Sequence, residues 1–542
     1  MTLASVAVLV LQAQDPAEEW VRTFDGTAGS YDEARFVRLD AQNNVVMTGT
    51  SWSTGTAVDV VTRKYDPQGD LIWSHTWNNE TYGFNDLPND MEIAPNGDVV
   101  IIGDSKHTGD SQSLNADIFI LVLDENGGFL WSDSLRGSGY MGSFGPIQRS
   151  FAADLEIADN GDIYVAGQVT GFNGNNQYDQ AAVARFSPTG FRHYFLTLDN
   201  STEHEWSDFA RAIGVDAMGN AYINGVTTID PTWRDHAVWK IDPDGNEEWM
   251  ANFPGPDNNV SEHLEDILVD ADGNSYSYGR HSGGNMVLRK LNTLGDEQWT
   301  TELDTIFPSG GASFTGPDTR LTFDMQGNII LVSNMASRIG VAKFSPAGDV
   351  LWVTYHGGDT QFSNEAYHVE VDGMDHIYVA GAYSNTGTSF DLACVKVAPD
   401  GSQVWDVWHN GPANGGDKGH SMAVGNDGAV YVAGVGVGYT ASNGDMLLVK
   451  YMQDGVGVHD MEAPDLMVFP NPVTDVLSVI SSIDVGPVNF ELIDMQGRMI
   501  KLASVNRQGE IHQLDVSGVA RSVYLLRMIS PGGSTTARIV IN

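Results

Sequence analysis

One cysteine, Cys394, stands among 542 residues, so no internal disulfide can staple the chain. Basic residues are scarce: 28 Lys and Arg face 71 Asp and Glu, a formal net charge of −43. A surface that acidic repels phosphate backbones, which excludes nucleic acid as a partner, and it serves solubility or attracts cations. No apolar run reaches the ~20 residues that a membrane helix needs. G-x-S-x-G, H-E-x-x-H, a Walker loop and Cys/His metal spacing are all missing, and the 14 histidines are scattered without ligand spacing. A lone cysteine by itself suits a reducing compartment. The N-terminus argues the other way. Residues 3–11 (LASVAVLVL), followed by Gln-Ala-Gln, read as the apolar region and cleavage site of a secretory signal peptide over residues 1–14, although the basic leader is lacking.

What is abundant is glycine, 60 residues, and aromatics. Residues 209–249 show how they are used. Ile213 and Val215 alternate into an Asp-Ala-Met-Gly-Asn turn, a second alternation carries Tyr222 and Gly225, and a third, HAVWKI, ends in Asp-Pro-Asp-Gly ahead of Trp249. Period-two alternation punctuated by Gly, Asn, Asp and Pro marks short antiparallel strands. The glycine ending the second strand, or its stand-in, recurs eight times: Gly49, Gly103, Gly167, Gly225, Gly279, Ser333, Gly381 and Gly434. The closing aromatic also recurs eight times, at Trp20, Trp73, Trp131, Tyr194, Trp249, Trp299, Trp352 and Trp405. The two series are offset. The first Trp precedes the first full unit, and the last unit has three strands and no Trp after it. The strand around Trp20 therefore completes the last unit, beside Lys450, and closes a ring. The expectation is an all-β chain: an eight-bladed β-propeller over residues 15–455, with seven blades as the alternative if the unit around Ser333 is irregular.

The pattern D-x-x-G-N-x-Y-V-x-G, then D-x-x-x-x-K-x-D-x-x-G-x-x-x-W, is clear from Asp216 to Trp249 and recognisable from Asp372 to Trp405. It resembles the bacterial β-propeller repeat labelled SBBP, which implies a fold and an exported bacterial protein and no particular chemistry.

Composition changes after a linker over residues 456–465. Residues 466–542 read as six or seven strands, the pattern of a small Ig-like β-sandwich. Pro470-Asn471-Pro472, then Asp494 with Gly497-Arg498, then Tyr524 and a terminal strand, resemble the type A C-terminal sorting domain of the type IX secretion system of Bacteroidetes. Ser522 departs from the glycine usual before Val-Tyr. The resemblance implies export, the secretion machinery as a partner, and release or attachment at the cell surface.

Function is less legible. The long connections between strands fall on one face of the ring, where variable loops on a rigid scaffold can bind a glycan or protein. They carry Trp52, Tyr82, Phe84, Tyr140, Phe172, Tyr178, Trp206, Trp233, Tyr383 and Tyr439, which either stack on a ligand or pack locally. On the innermost strand, positions alternating with the apolar ones hold Arg38, Asp90, Glu92, Asp154, Glu156, Asp266, Arg320, His368 and Glu370, which should line a polar central channel. A recurrent Lys or Arg in the third strand and an acid before the first (Asp32, Asp86, Asp208, Glu262, Asp417) read as blade-to-blade bonds. The Asp-x-Asp-Gly turns at Asp270 and Asp242 resemble calcium loops without the distal Glu, so a structural calcium is the one cofactor in view. The reading favours a monomeric, non-enzymatic binding protein, with a polysaccharide hydrolase or lyase using channel-mouth carboxylates as the alternative. An eight-bladed quinoprotein is disfavoured by the single cysteine.

Overall fold

The structure is a computed structural model. It describes residues 15–453 apart from 56, 80–82, 108–115, 138–140, 143–144, 147–149, 174–175, 199–207, 229–234, 255–262, 281–285, 304–305, 307–319, 336–337, 358–363, 386, 388 and 441–443. It also describes 467–541 apart from 470–472, 481–488, 495–498, 503, 509–510, 520–521 and 531–532. The chain divides into two compact units, Met1–Asp454 and Gly455–Asn542.

The first unit is a ring of eight four-stranded antiparallel sheets. Blades 1 to 7 are meanders of consecutive strands within residues 33–77, 86–135, 151–198, 209–253, 263–302, 321–356 and 365–409. Blade 8 takes three strands from Lys418–Val424, Ala429–Gly436 and Asp445–Met452, and its outermost strand is Ala17–Phe24. Trp20 lies opposite Lys450 and Val21 opposite Val449, so the first strand seals the ring as the offset of the two repeat series predicts. Eight sheets leave no room for the seven-blade alternative.

The glycine that marks each repeat has a steric cause. In seven blades the first two strands meet at a β-bulge, as between Ala34 and Phe36 or between Pro88 and Asp90. The bulge drives a first-strand carbonyl against the second strand. A Cβ at Gly103 would lie 2.0 Å from the Leu87 carbonyl oxygen, and one at Gly434 would lie 1.8 Å from that of Lys418. Blade 6 carries Ser333 instead, and its described first strand is the short Leu321–Phe323, with no register shift.

The core lies between blades. Eight buried clusters each join two neighbours: Ile118, Ile120 and Val122 of blade 2 meet Leu155 and Val165 of blade 3, and Met446 and Leu448 of blade 8 meet Val37 and Met47 of blade 1. At the outer edge the closing aromatic reaches the next blade. The indole of Trp73 donates to the Glu125 carbonyl at 3.0 Å, and Trp249, Trp299 and Trp352 bond Thr293, Pro346 and Pro399 at 3.0, 3.2 and 3.0 Å. The third-strand lysine bonds the same acceptor: Lys64 reaches Glu125 at 3.0 Å, Lys290 reaches Pro346 at 3.4 Å and Lys450 joins Trp20 on Pro67. The recurrent base is thus a blade-to-blade bond. The recurrent acid is not. Asp32 accepts the Gly26 and Trp52 amides at 2.6 and 2.8 Å, and Asp417 accepts those of Gly411 and Val437, so this carboxylate ties the entering loop to the second strand of its own blade. Glu262 lies outside the described residues.

Cys394 is fully buried between blades 7 and 8, and burial pushes its thiol well up from the usual range. We expect no reaction with Ellman's reagent in the native protein, and one thiol per chain once urea unfolds it. Labelling at native conditions faster than global unfolding would show that this interface opens by itself.

The second unit has two four-stranded antiparallel sheets, one of strands Met467–Phe469, Val476–Ile480, Ile511–Asp515 and Ser504–Gln508, the other of Met499–Leu502, Asn489–Asp494, Ser522–Ser530 and Gly533–Ile541. Leu477, Val479 and Leu514 of the first share a buried cluster with Leu492, Tyr524, Leu526 and Ile539 of the second.

Candidate functional site

The innermost strands face one another across the ring axis, and register puts one residue of seven blades at the step beside the bulge: Phe36, Asp90, Asp154, Ala212, Asp266, His368 and Ser421; in blade 6, Arg320, whose carbonyl accepts the Val332 amide, takes that place. Two residues on comes a second layer holding Arg38, Glu92, Glu156 and Glu370. Arg38, Asp90, Glu92, Asp154, Glu156 and Asp266 line one cavity of about 160 Å3, and Arg38 and Glu92 line a further one of about 240 Å3 with Glu370. Arg320 and His368 are 3% exposed. The Arg320 guanidinium donates to the Ala366 carbonyl at 2.5 Å, and His368 Nε2 lies 3.6 Å from the Glu370 carboxylate.

The first layer is a set of bolts. Asp90 Oδ2 accepts the Leu155 amide of the next blade at 3.0 Å. Asp154 Oδ2 accepts Ile213 at 2.8 Å, and Asp266 Oδ2 accepts both Arg320 and Leu321 at 2.8 Å. Ser421 does the same across the seam, accepting the Val37 amide at 3.1 Å, a role that alternation does not reveal because Ser421 carries no charge. In the second layer Glu370 accepts the Val424 amide at 3.0 Å and Arg38 pairs with Glu92 at 2.9 Å. Sequence reasoning also misses Arg211 and Glu265, which line the same cavity. Each is the extra residue of a bulge, and a bulge breaks the simple alternation used to predict the lining.

Electrostatics follow from this crowding. Burial and the neighbouring Asp90 hold the Asp154 carboxyl far above the usual range, and the two share a side-chain hydrogen bond. Burial raises Asp266 too, against three amide donors that pull it down. Glu156 is exposed to the channel yet sits deep within the ring, and it is pushed up to about 8, first by this partial desolvation and then by Glu92, Asp90 and Asp266. An acid whose native pKa is raised contributes stability that is fully present below its unfolded pKa and lost as pH climbs through the native value. The Glu156 contribution is therefore lost between about pH 4 and pH 8. Glu156→Gln should leave the melting temperature unchanged at pH 4 and raise it by about 1–2 °C at pH 8.5, a small gain because the side chain faces channel water. Thermal melts across that range check it, and parallel curves for the two proteins would contradict it.

Among the described residues no group of three or more His, Cys, Asp and Glu is arranged to hold a metal ion. Asp270 turns its carboxylate inward: Oδ1 accepts the Asp272 and Asn274 amides at 3.0 and 2.8 Å, and Oδ2 accepts the Tyr276 hydroxyl at 3.0 Å.

Of the loop aromatics, Trp52 is 39% exposed, Phe84 and Tyr439 are half-buried, and Tyr178 and Tyr383 are buried. These two pack locally and do not stand out as stacking platforms, and Tyr383 sits in the buried cluster between blades 6 and 7. Tyr82, Tyr140, Trp206 and Trp233 lie outside the described residues, and so does the side chain of Phe172. In the second unit Asp494 pairs with Tyr524 across two neighbouring strands, and Tyr524 is buried. Pro470, Asn471, Pro472, Gly497 and Arg498 lie outside the described residues, as do residues 1–14 and 456–465.

Comparison with known proteins adds one assignment. Solved structures similar to the chain include a protein of unknown function from Bacteroides caccae (10% identity, TM-score 0.32, 54% of this chain and 89% of that one). Another is a protein of unknown function from Dyadobacter fermentans (9%, 0.36, 81% and 98%), and a third is a eukaryotic initiation factor (10%, 0.35, 67% and 75%). Likeness at this level carries no functional argument. No curated protein matches the chain. Among the described residues no helix is long and apolar enough to cross a membrane. Residues 467–542 match the family described as the secretion system C-terminal sorting domain, which indicates a secreted or cell-surface protein carried by that secretion system.

Proposed function

We propose that the chain is an exported or surface-held binding module of the type IX pathway: a propeller of SBBP type from a member of the Bacteroidetes, whose long-loop face takes a glycan or a protein, followed by an Ig-like sorting sandwich. The observation that carries the non-enzymatic reading is the employment of the channel acids. Asp90, Asp154, Asp266 and Glu370 each accept a backbone amide of the next blade, so these carboxylates serve ring assembly and are poorly placed to act on a substrate. A polysaccharide hydrolase would need two carboxylates free on either side of a bond.

Two measurements test the proposal. Secretion of the full chain is compared with that of a chain lacking residues 464–542. Release of the truncated form at the wild-type level would remove the sorting role. The full chain is then screened on a glycan and matrix-protein array, with reducing ends assayed on the same glycans. Binding without cleavage supports the module, and new reducing ends would replace it with an enzyme.

A further inference from the structure

Among the described residues, the face carrying the short, regular turns holds several strongly exposed large apolar side chains. On blades 4 to 7 the turn tips carry Met218, Leu294, Met325 and Met374, which are 72, 73, 71 and 68% exposed. Turn chemistry does not ask for these residues. The equivalent tips elsewhere are polar, such as Asn160 in blade 3 and Asp272 in blade 5. Each of these turns is already made by an Asp or Asn side chain accepting an amide two residues on, as Asp216 accepts Met218 at 2.9 Å and Asn292 accepts Leu294 at 2.9 Å; in blade 6 that amide is Gln326, and Met325 stands one position before it. Asp375 fixes the spacing of two of them. Held at φ 63°, it accepts the Met325 amide of the neighbouring blade at 2.8 Å and the Gln326 side-chain amide at 2.6 Å.

Charge says what covers them. The eight short turns of blades 4 to 7 with the strand starts that follow them (216–220, 242–248, 270–274, 292–298, 324–328, 345–351, 372–376 and 398–404) hold fourteen Asp and Glu and no Lys or Arg; Glu248, Glu297, Asp324 and Asp372 pair with Lys240, Arg289, Lys343 and Lys396 of the third strands, and the other acids leave the face negative. Beside Met218 a cavity of about 270 Å3 is lined by Glu156, Asp159 and Asp216, and its one cation, Arg185, is engaged by Asp162 and the Pro243 carbonyl. Apolar studs in an acidic field favour a partner that is apolar and cationic together, and repel both an anionic lipid surface and a second copy of this chain. Methionine, unbranched and polarisable, adapts to the side chains it meets.

We infer that the short-turn face of blades 4 to 7 docks a cationic polypeptide that presents apolar side chains between Lys or Arg residues. This surface is separate from the long-loop face and does not depend on what that face binds.

The full chain is titrated with an alternating Lys/Leu peptide, and in parallel with oligolysine, a Glu/Leu peptide and phosphatidylglycerol vesicles. The Lys/Leu peptide should bind, and its affinity should fall at least tenfold in the triple variant Met218→Ser, Met325→Ser, Met374→Ser. It should also weaken steeply as salt shortens the screening length below about 8 Å. Trp52→Ser, on the opposite face, should change nothing. Unchanged affinity in the triple variant overturns the proposal, as does equal affinity for oligolysine or for the Glu/Leu peptide. Self-association abolished by the triple variant would assign the face to a second copy, and vesicle binding would assign it to lipid; either also overturns it. Should the triple variant not fold, Asp244→Asn with Glu247→Gln, two exposed turn residues, must weaken Lys/Leu binding for the proposal to stand.

Discussion

A chain lacking residues 15–24 should lose on the order of 3–6 kcal/mol of stability and aggregate. The estimate rests on what the strand buries: Trp20 and Phe24 are half-covered against blades 8 and 1 and Val21 against blades 7 and 8, each contributing roughly 1–2 kcal/mol. Seven registered pairs with the third strand of blade 8 go with them. The third strand, Asp445–Met452, is buried over nearly its whole length and runs Met-Leu-Leu-Val, so stripping its partner exposes a flat apolar edge, the usual template for strand addition between molecules. The outer clamp loosens as well, because Trp20 and Lys450 share the Pro67 carbonyl. Size-exclusion chromatography with light scattering and a thermal melt decide it. A truncated protein that stays monomeric and melts within about 2 °C of the full chain would mean that closure is not what holds the ring.

Asp266→Ala should cost about 2–4 kcal/mol, the largest expected effect of a single side chain in the channel. The carboxylate accepts three amides at 2.8 Å, its own neighbour Ile267 and, in the next blade, Arg320 and Leu321. Alanine leaves all three donors without that acceptor, at about 1–3 kcal/mol each, and water from the adjoining cavity recovers part. Blade 6 has the shortest described first strand, so this joint leans more heavily on its bolt than the others do. Asp266→Asn keeps one oxygen for the amides and should cost about half as much. Urea unfolding of the two variants measures the difference. Equal losses would show that the acceptor geometry is not what matters at this position.

The ring was legible because its rules are local and repeated. Gly49, Gly103 and Gly434 mark a close approach that only glycine tolerates, the aromatics mark the outer clamp, and the offset between the two series forces the join at Trp20. Composition alone could not deliver the contacts that depend on neighbouring blades. Asp90 and Asp154 were readable as polar and inward, yet their task lies in the amides of Leu155 and Ile213, some sixty residues further along the chain. Arg211 and Glu265 were invisible because alternation counts residues and a bulge adds one. Asp32 and Asp417 were read as bonds between blades because they recur, whereas recurrence equally suits a bond made inside every blade. The apolar turn tips escaped notice for a different reason: regular turns look inert when judged by length, and exposure is set by geometry that length does not carry.

Closing the ring with its earliest strand also sets an order of events. Seven blades are built from neighbours in sequence and can form as the chain grows, but residues 17–24 have no partner until residues 445–452 have been synthesised. For most of synthesis the opening segment is a loose end that chaperones or proteases can find. The sorting segment at 467–542 is translated only after that last partner, so every strand the ring needs exists before the signal that dispatches it. A lesion that slows the final latch therefore need not hinder labelling for export, and it would send out rings that are addressed but still ajar.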